Sequence, residues 1–281
     1  MRVPETRAKI YSGLAALPAQ LRFCASVLYR RIFHKRRYPL LYLRASKTGF
    51  LRTIMLLQRC KLTKVIKVGR KYHFSLLEPR WPSEAYDHLM ANGGLNLGAA
   101  GTAAKVQIDL AVLAITRACD NRCEHCYERY NLGRQDTVAL SRWRTVIEEL
   151  QQIGVSVVAL SGGEPLARFE RTLSLLETAD KRRSDFHLYT SGYPATWERV
   201  VALVDAGLAA VGVGLDHFEP SRHDAIRGRK GAFENAVEAI RMFGEAGILT
   251  FVNACMTKSL VQDHGLWRLH DLLHTLGVGA I

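Results

Sequence analysis

From residue 110 onward, short apolar runs alternate with amphipathic helical patterns, and this alternation constrains the fold more than any other sequence feature. The predicted strands are Ala111–Thr116, Val155–Leu160, Phe186–Thr190, Ala209–Gly214 and Leu249–Cys255, and Val278–Ile281 would begin a sixth. The predicted helices between them are Ser141–Ile153, Phe169–Ala179, Thr196–Ala206, Ala232–Ala246 and Leu266–Leu276. Strict alternation predicts parallel βαβ units with right-handed crossovers. The predicted fold is therefore α/β, with parallel strands that form either an open sheet or a barrel, and of these two we predict a partial (β/α)6 TIM-like barrel.

The distribution of charge predicts two domains. Residues 1–105 carry 20 Lys and Arg against 4 Asp and Glu, whereas residues 106–281 carry 19 against 22. The net charge of +13 therefore belongs to the N-terminal third. The small-residue stretch Gly93–Gly101 is typical of a loop or linker. We expect a small, basic α+β accessory region at 1–105 and the barrel at 106–281.

The accessory region combines helical and strand-like patterns. Its predicted elements are helices over residues 8–33 and 50–60, a hairpin of Lys64–Val68 and Tyr72–Leu77, and a helix capped by Ser83 that runs to Met90. Two interpretations of the basic helices stay open: they pack on the main domain as solvated helices, or they lie on an anionic membrane surface. No recognised nucleic-acid motif occurs, so nucleic-acid binding is not expected.

The six cysteines do not form a disulfide framework, which favours a reducing compartment and metal binding. The apolar runs are too short for a transmembrane helix. We therefore expect a cytoplasmic protein, with peripheral membrane contact as the alternative.

Three cysteines, Cys119, Cys123 and Cys126, lie within eight residues directly after the first predicted barrel strand. Thiolates at this spacing on one loop can converge on a soft metal centre. A structural zinc site or an ordinary ferredoxin-type cluster needs four ligands, so three thiolates leave one position open for chemistry. A structural zinc site remains the alternative, with His125 as fourth ligand, although adjacent residues such as His125 and Cys126 rarely bind one ion together.

Polar residues also follow the next predicted strands. Gly162, Gly163, Glu164 and Pro165 come after the second strand, Ser191 after the third and Asp216 after the fourth. In α/β folds, sites are built at the carboxyl ends of the strands. Glycines let backbone groups approach a ligand, and a carboxylate accepts hydrogen bonds from an ammonium group. The pattern predicts one site at this end of the barrel.

The cysteine spacing, followed one strand later by Gly-Gly-Glu-Pro, resembles the radical S-adenosylmethionine (radical SAM) superfamily over about residues 108–281. The resemblance implies that Cys119, Cys123 and Cys126 hold a 4Fe–4S cluster whose fourth iron is chelated by the amino and carboxylate groups of S-adenosylmethionine. It also implies an electron donor, such as flavodoxin or ferredoxin, and a 5′-deoxyadenosyl radical that abstracts a hydrogen atom from a substrate.

The same resemblance assigns roles to further residues. It implies that Gly162–Pro165 bind the amino group of the cofactor, that His125 lies against the adenine, and that Ser191 belongs to the cofactor site. Arg227 corresponds to an arginine that pairs with the cofactor carboxylate. A structural ion pair between Asp216 and Arg227 remains the alternative.

Two positions depart from the family pattern or stand outside it. Gly214 occupies the place of a serine that often touches the cofactor in relatives. Cys255 ends the fifth predicted strand and faces the expected mouth of the barrel. We expect it to be a buried packing residue, with a radical relay or a substrate thiol as the alternative.

The sequence does not name the substrate, which could be a small molecule, a peptide or a lipid, and it identifies no catalytic side chain. The chain stops at the start of the sixth strand, which indicates either an unusually short barrel or a truncated product. The alternative to a radical SAM enzyme is a non-catalytic zinc- or membrane-binding protein with a degenerate barrel.

Overall fold

The computed structural model describes residues 8–12, 15, 18, 19, 21, 22, 64–91, 108–262, 264–278 and 280. The predicted helix over residues 50–60, the glycine-rich stretch Gly93–Gly101 and most of the helical pattern over residues 8–33 lie outside these residues. The proposed division at residue 105 therefore stays a prediction.

The N-terminal sheet has three antiparallel strands, in the order β1 (Lys9–Ser12), β2 (Lys64–Val68) and β3 (Lys71–His73). The helical prediction is wrong for residues 9–12. Lys9 pairs with Lys67 and Ser12 with Lys64, so this segment satisfies its backbone groups across the sheet rather than within a helix. Pairing with β2 therefore outweighs the helical spacing of the apolar residues in this segment.

The predicted hairpin is present, but its second strand is shorter than expected. Strand β3 ends at His73, and Tyr72 instead exchanges backbone hydrogen bonds of 2.6 and 2.7 Å with Trp81. Helix α1 (Glu84–Ala91) follows. The backbone N–H of Tyr86 donates to Ser83 Oγ at 3.0 Å, so Ser83 caps this helix as predicted.

The larger sheet has five parallel strands, which confirms the α/β prediction. In sheet order they are β4 (Leu110–Ala114), β5 (Val157–Ser161), β6 (Asp185–Thr190), β7 (Leu208–Gly214) and β8 (Leu249–Asn253). The helices after them are α2 (Leu140–Gln152), α3 (Phe169–Thr178), α4 (Trp197–Asp205), α5 (Pro220–Arg227), α6 (Ala232–Glu245), α7 (Lys258–Gln262) and α8 (Gly265–Thr275). A 3-10 helix, Pro165–Arg168, precedes α3.

The core lies between this sheet and its helices. Strand β7 is buried along its whole length, as is typical of a central parallel strand. Val211 and Val213 pack in one cluster with Leu203 of α4 and Phe243 of α6. The sheet therefore holds the carboxyl ends of its strands in a fixed arrangement.

The N-terminal sheet packs against the opposite face of the larger sheet, near the amino ends of its strands. Val68 of β2 contacts a cluster that contains Ala210 and Phe251. Arg80 donates its backbone N–H to Asp185, the first residue of β6, at 2.7 Å, and its Nε lies 3.4 Å from the same carboxylate. The N-terminal region thus packs against residues of β6, β7 and β8.

The start of a sixth strand is also present. Val252 donates its backbone N–H to Ala280 at 2.9 Å, and Phe251 forms a parallel bridge with Ala280. In the part of the chain that the structure describes, no helix is long and apolar enough to cross a membrane.

Candidate active site

A cavity of about 570 Å³ opens at the carboxyl ends of the strands. Ten of the eleven predicted site residues line it: Cys119, Cys123, His125, Cys126, Gly162, Gly163, Glu164, Ser191, Asp216 and Arg227. Pro165 does not line the cavity. It is buried at the start of the 3-10 helix, where its carbonyl accepts a hydrogen bond of 2.8 Å from Thr172 Oγ1. Its role in this structure is to start that helix.

The entry to the cysteine loop is fixed by Asp136. Its carboxylate accepts hydrogen bonds from Thr116 Oγ1 at 2.9 Å and from the backbone N–H of Arg117 at 2.7 Å. Thr116 Oγ1 in turn accepts from the N–H of Ala118 at 3.1 Å. These bonds set the path of the chain just before Cys119.

The Gly-Gly-Glu-Pro loop lies against the same segment. Gly163 and Glu164 donate backbone hydrogen bonds to the carbonyls of Thr116 and Ala118, at 2.7 and 2.6 Å. A Cβ on Gly162 would lie 2.5 Å from the Thr116 carbonyl oxygen, and one on Gly163 would lie 2.3 Å from that of Ala118. Both glycines are therefore needed for close contact between the two loops.

Glu164 is buried, and four donors within the protein surround its carboxylate. Leu166 N–H (3.0 Å) and Thr190 Oγ1 (2.6 Å) donate to Oε1, and Ser191 donates to Oε2 from its N–H (2.7 Å) and its Oγ (2.6 Å). Burial raises the pKa of this carboxyl, and the hydrogen bonds from Ser191 and Thr190 oppose that rise. The side chain ties the end of β6 to the Gly-Gly-Glu-Pro loop.

Asp216 and Arg227 form a buried ion pair beside the cysteines. Arg227 Nε lies 2.8 Å from Asp216 Oδ2, although neither atom has a hydrogen-bond partner at acceptable angles among the described residues. The other carboxylate oxygen accepts from the backbone N–H of Cys255 at 2.8 Å. His125 Nε2 lies 3.8 Å from Oδ2. One carboxylate thus connects the cysteine loop, α5 and the end of β8.

The missing side chain at Gly214 makes room for Arg227. A Cβ at residue 214 would lie 2.3 Å from Arg227 Nη2. The guanidinium consequently reaches towards the cysteine loop, with Nη1 4.0 Å from Cys123 Sγ. The departure from the family pattern at Gly214 is thus matched by the position of Arg227.

The backbone of α5 also holds the cysteine loop. Arg122 and Glu124 donate their N–H groups to the carbonyls of Arg227 and Ile226, at 2.9 and 3.0 Å. Burial raises the pKa of the Cys119 thiol to about 11. Burial also raises the pKa of Cys123, and Arg227 opposes this effect. Metal binding by these cysteines must therefore displace thiol protons.

Several cavity residues belong to no motif in the sequence. Tyr189, Asn253, Cys255 and Met256 line the wall formed by the ends of β6 and β8. Cys255 is partly exposed, so the expectation of a buried packing residue is wrong. Its backbone bond to Asp216 turns it towards the cavity side of the sheet. The sequence indicated a place near the site for these four residues only through their position at or just after the end of a predicted strand.

A family model of the radical SAM superfamily matches residues 113–264, just over half of the chain. The chain is a member of the radical SAM superfamily. The match begins within β4 and contains the cysteine loop, the Gly-Gly-Glu-Pro loop, α5 and the end of β8.

Named radical SAM relatives align with part of the chain. PqqA peptide cyclase of Bradyrhizobium diazoefficiens is 35% identical over 178 residues, which cover 61% of this chain and 44% of that protein. GTP 3′,8-cyclase 1 of Mycobacterium tuberculosis is 31% identical over 169 residues, which cover 57% of this chain and 46% of that protein. The matched region thus spans less than half the length of either relative.

A solved radical SAM structure has a similar fold. Streptococcus suis SuiB bound to S-adenosylmethionine superposes with a TM-score of 0.52 at 19% identity, over 61% of this chain and 39% of SuiB. This likeness supports the TIM-like arrangement of strands and helices.

The donors around the cavity fit the cofactors of the radical SAM superfamily. Three cysteines from one loop line the cavity together with Asp216 and Arg227, whose buried atoms Oδ2 and Nε have no aligned hydrogen bond among the described residues. In the described part of the chain, no three His, Cys, Asp or Glu side chains form a group that could hold a single metal ion. Three thiolates suit a cluster that keeps one iron open to a second ligand.

Proposed function

We propose that this protein is a radical SAM enzyme that abstracts a hydrogen atom from a peptide substrate. Cys119, Cys123 and Cys126 would ligate a 4Fe–4S cluster, and S-adenosylmethionine would bind in the adjoining cavity. When bound and reduced, such a cluster supplies an electron that cleaves S-adenosylmethionine to methionine and a 5′-deoxyadenosyl radical. The observation that carries the proposal is that the three cysteines and the strand-end loops line one cavity.

In this proposal the protein orients the cofactor and does not itself react. The loop carrying Gly162 and Gly163 shapes the wall next to the cysteines, with its form set by Glu164 and Ser191. His125 lies at the cavity edge, where its ring can cover the adenine. Arg227 can share its charge between Asp216 and the carboxylate of the bound cofactor, because a guanidinium has five donors. An external donor such as flavodoxin or ferredoxin would supply the electron.

The charges in the cavity favour a substrate whose reacting part is neutral. The carboxylates and the guanidinium that line it are Glu164, Asp216 and Arg227, and each is engaged by another group of the protein. The cavity is also lined by uncharged groups from Tyr189, Asn253 and Met256. Among the described residues that line the cavity, Arg227 is the one Lys or Arg, and Asp216 already pairs with it, so a neutral peptide side chain suits the cavity better than a triphosphate. The likeness to PqqA peptide cyclase supports the same class.

Loss of one cysteine in the loop should abolish the chemistry. We expect a Cys119→Ala variant, reconstituted anaerobically with iron and sulfide and then reduced, to form at least 100-fold less 5′-deoxyadenosine than the parent, about the factor expected when a key catalytic group is lost. Cys255→Ala is the matched control, because Cys255 lines the same cavity outside the loop. The control should keep most of the activity. Equal deoxyadenosine formation by Cys119→Ala and the parent would refute the assignment.

The substrate class can be tested with a peptide panel. Short acetylated peptide amides that differ only at the central residue are added to the reduced holoenzyme, with GTP as comparator. Neutral central residues should increase deoxyadenosine release several-fold over the peptide-free background, and Asp, Glu, Lys or Arg should not. Stimulation by GTP without stimulation by any peptide would contradict the proposed substrate and leave the cofactor chemistry intact.

A further inference from the structure

Helix α8 has an exposed aromatic face that the cofactor site does not use. Leu269 and Leu273 are buried and hold the inner face of the helix in the core. On the outer face, Trp267, His270 and His274 are exposed, and the indole of Trp267 contacts the ring of His270 edge to face, with centroids 6.3 Å apart. This face therefore presents two imidazoles to solvent.

The two histidines are one helical turn apart. Residues at i and i+4 are neighbours on a helix surface. The rings of His270 and His274 are nearly parallel, at 24°, with centroids 6.4 Å apart. Their side chains are exposed, so small χ rotations can bring both Nε2 atoms onto one ion. Asp271 stands beside them, with Oδ1 3.4 Å from Nδ1 of His270.

We propose that His270 and His274 form a surface site for a divalent transition-metal ion of borderline softness, such as Zn²⁺ or Ni²⁺. Imidazole nitrogen is a preferred ligand of these ions. Two histidines at i and i+4 on one helix face also hold the metal in helices of the His-Glu-x-x-His type. The site is separate from the proposed cluster, because it uses two nitrogens of α8 and no thiolate.

Asp271 acts as a positioning residue in this proposal. Histidines that bind metals commonly donate the other ring N–H to a carboxylate, which fixes the tautomer and orients the ring. The contact between Asp271 Oδ1 and His270 Nδ1 leaves Nε2 of His270 for the ion. Water molecules would complete the coordination around the two histidine nitrogens.

Trp267 gives a direct signal for binding, because Ni²⁺ quenches a nearby indole. The full-length holoenzyme is titrated anaerobically with Ni²⁺, with Trp fluorescence as readout and equilibrium dialysis to count bound ions. We expect saturable quenching in the parent. We expect Asp271→Asn to shift the midpoint about tenfold to higher Ni²⁺, the lower limit for loss of a carboxylate that orients a ligand.

The matched control exchanges two adjacent residues, His274→Thr together with Thr275→His. It keeps the number of histidines, the thiols and the cluster, changes the spacing from i,i+4 to i,i+5, and removes the bond from Thr275 Oγ1 to the Leu272 carbonyl. This variant should lose the saturable quenching and bind one Ni²⁺ fewer per chain. Quenching of the exchanged variant at the same Ni²⁺ midpoint as the parent, or absence of saturable quenching in the parent, would overturn the proposal.

Discussion

At the scale of single residues, Glu164 makes structural contacts in addition to its expected contact with the cofactor. The resemblance places this carboxylate on the amino group of S-adenosylmethionine, yet both of its oxygens already accept hydrogen bonds from Leu166, Thr190 and Ser191. These three residues supply four donor groups, two of them from Ser191, so an ionised carboxylate suits this position. These bonds hold the strand-end loops together.

Replacement of Glu164 by Gln should destabilise the protein. The amide nitrogen that replaces one carboxylate oxygen would face a donor, either from Ser191 or from Thr190 and Leu166. Because hydrogen bonds to a charged group contribute about 1.5–3 kcal/mol, we expect a loss of this size in the free energy of unfolding, measured by urea denaturation.

Ser191→Ala is the control for this prediction. It removes one of the four donors, the Ser191 hydroxyl, and should cost about 1.5 kcal/mol, the lower end of the range for a hydrogen bond to a charged group. If Glu164→Gln were as stable as the parent, the carboxylate would have no structural role and direct contact with the cofactor would be the better account.

The motifs predicted which residues meet, but not how they contact one another. Gly162 and Gly163 follow a strand in a recognisable pattern, so their place at the cavity could be predicted. Their backbone contacts with Thr116 and Ala118 depend on how two loops pack, which a linear pattern does not encode. The glycine at position 214, where relatives often have a serine, could be explained only from the position of Arg227, whose guanidinium occupies the space that a Cβ would need.

At the scale of secondary structure, α5 is the element that the sequence missed and the site depends on. The segment Pro220–Arg227 contains few apolar residues, so it has no amphipathic period to reveal a helix. The residues that typically mark the two ends of a helix were present, with Pro220 in the first turn and Gly228 directly after Arg227. By contrast, the strands of the barrel were predictable because buried parallel strands are continuous apolar runs.

Gly228 should be essential for the contact between α5 and the cysteine loop. It has φ +62°, and a Cβ there would lie 2.6 Å from the Arg122 carbonyl oxygen. We expect Gly228→Ala to cost about 1–2 kcal/mol for the left-handed backbone and about 1–3 kcal/mol more for the clash. It should also retain less iron after reconstitution and desalting, because Arg122 lies next to Cys123.

Gly231 offers a matched control for Gly228. It also has a positive φ, +79°, but a Cβ there would meet no atom of the described residues within 4 Å. Gly231→Ala should therefore lose only the unfolding free energy that the left-handed backbone costs, about 1–2 kcal/mol, and should keep the iron content of the parent. Equal iron contents in the two variants would mean that α5 does not support the cysteine loop.

At the scale of the whole molecule, the two ends of the barrel have different chemistry. The carboxyl ends of the strands hold the candidate active site, and the amino ends are covered by the N-terminal sheet. Two histidines are buried where this sheet meets the barrel, His73 in β3 and His187 in β6. Burial, together with the nearby charges of His187 and Arg80, lowers the pKa of His73 to about 3. Burial and Arg80 lower the pKa of His187 to about 4.

These two histidines should make the protein sensitive to mild acid. Their pKa values in the folded state lie below the ordinary value of 6.5, so the unfolded chain binds protons first as the pH falls. Their contribution to stability is complete above pH 6.5 and declines below it, by about 2 kcal/mol per histidine between pH 6.5 and 5. Burial raises the pKa of Asp185, so protonation of its carboxyl favours the folded state as the pH falls. This effect has the opposite sign to that of the histidines and occurs at lower pH, nearer the ordinary titration range of a carboxyl.

The measurement is the melting temperature at pH 7.5, 6.0 and 5.0, which we expect to fall by about 2–4 °C for each kcal/mol lost. His187→Leu should lessen that decline, because it removes one titrating ring whose buried Nδ1 has no hydrogen-bond partner among the described residues. The exposed His264 provides the control, since His264→Gln should decline as the parent does. If the melting temperature of His187→Leu fell with pH as steeply as that of the parent, the acid sensitivity would have to arise away from the contact between the N-terminal sheet and the barrel.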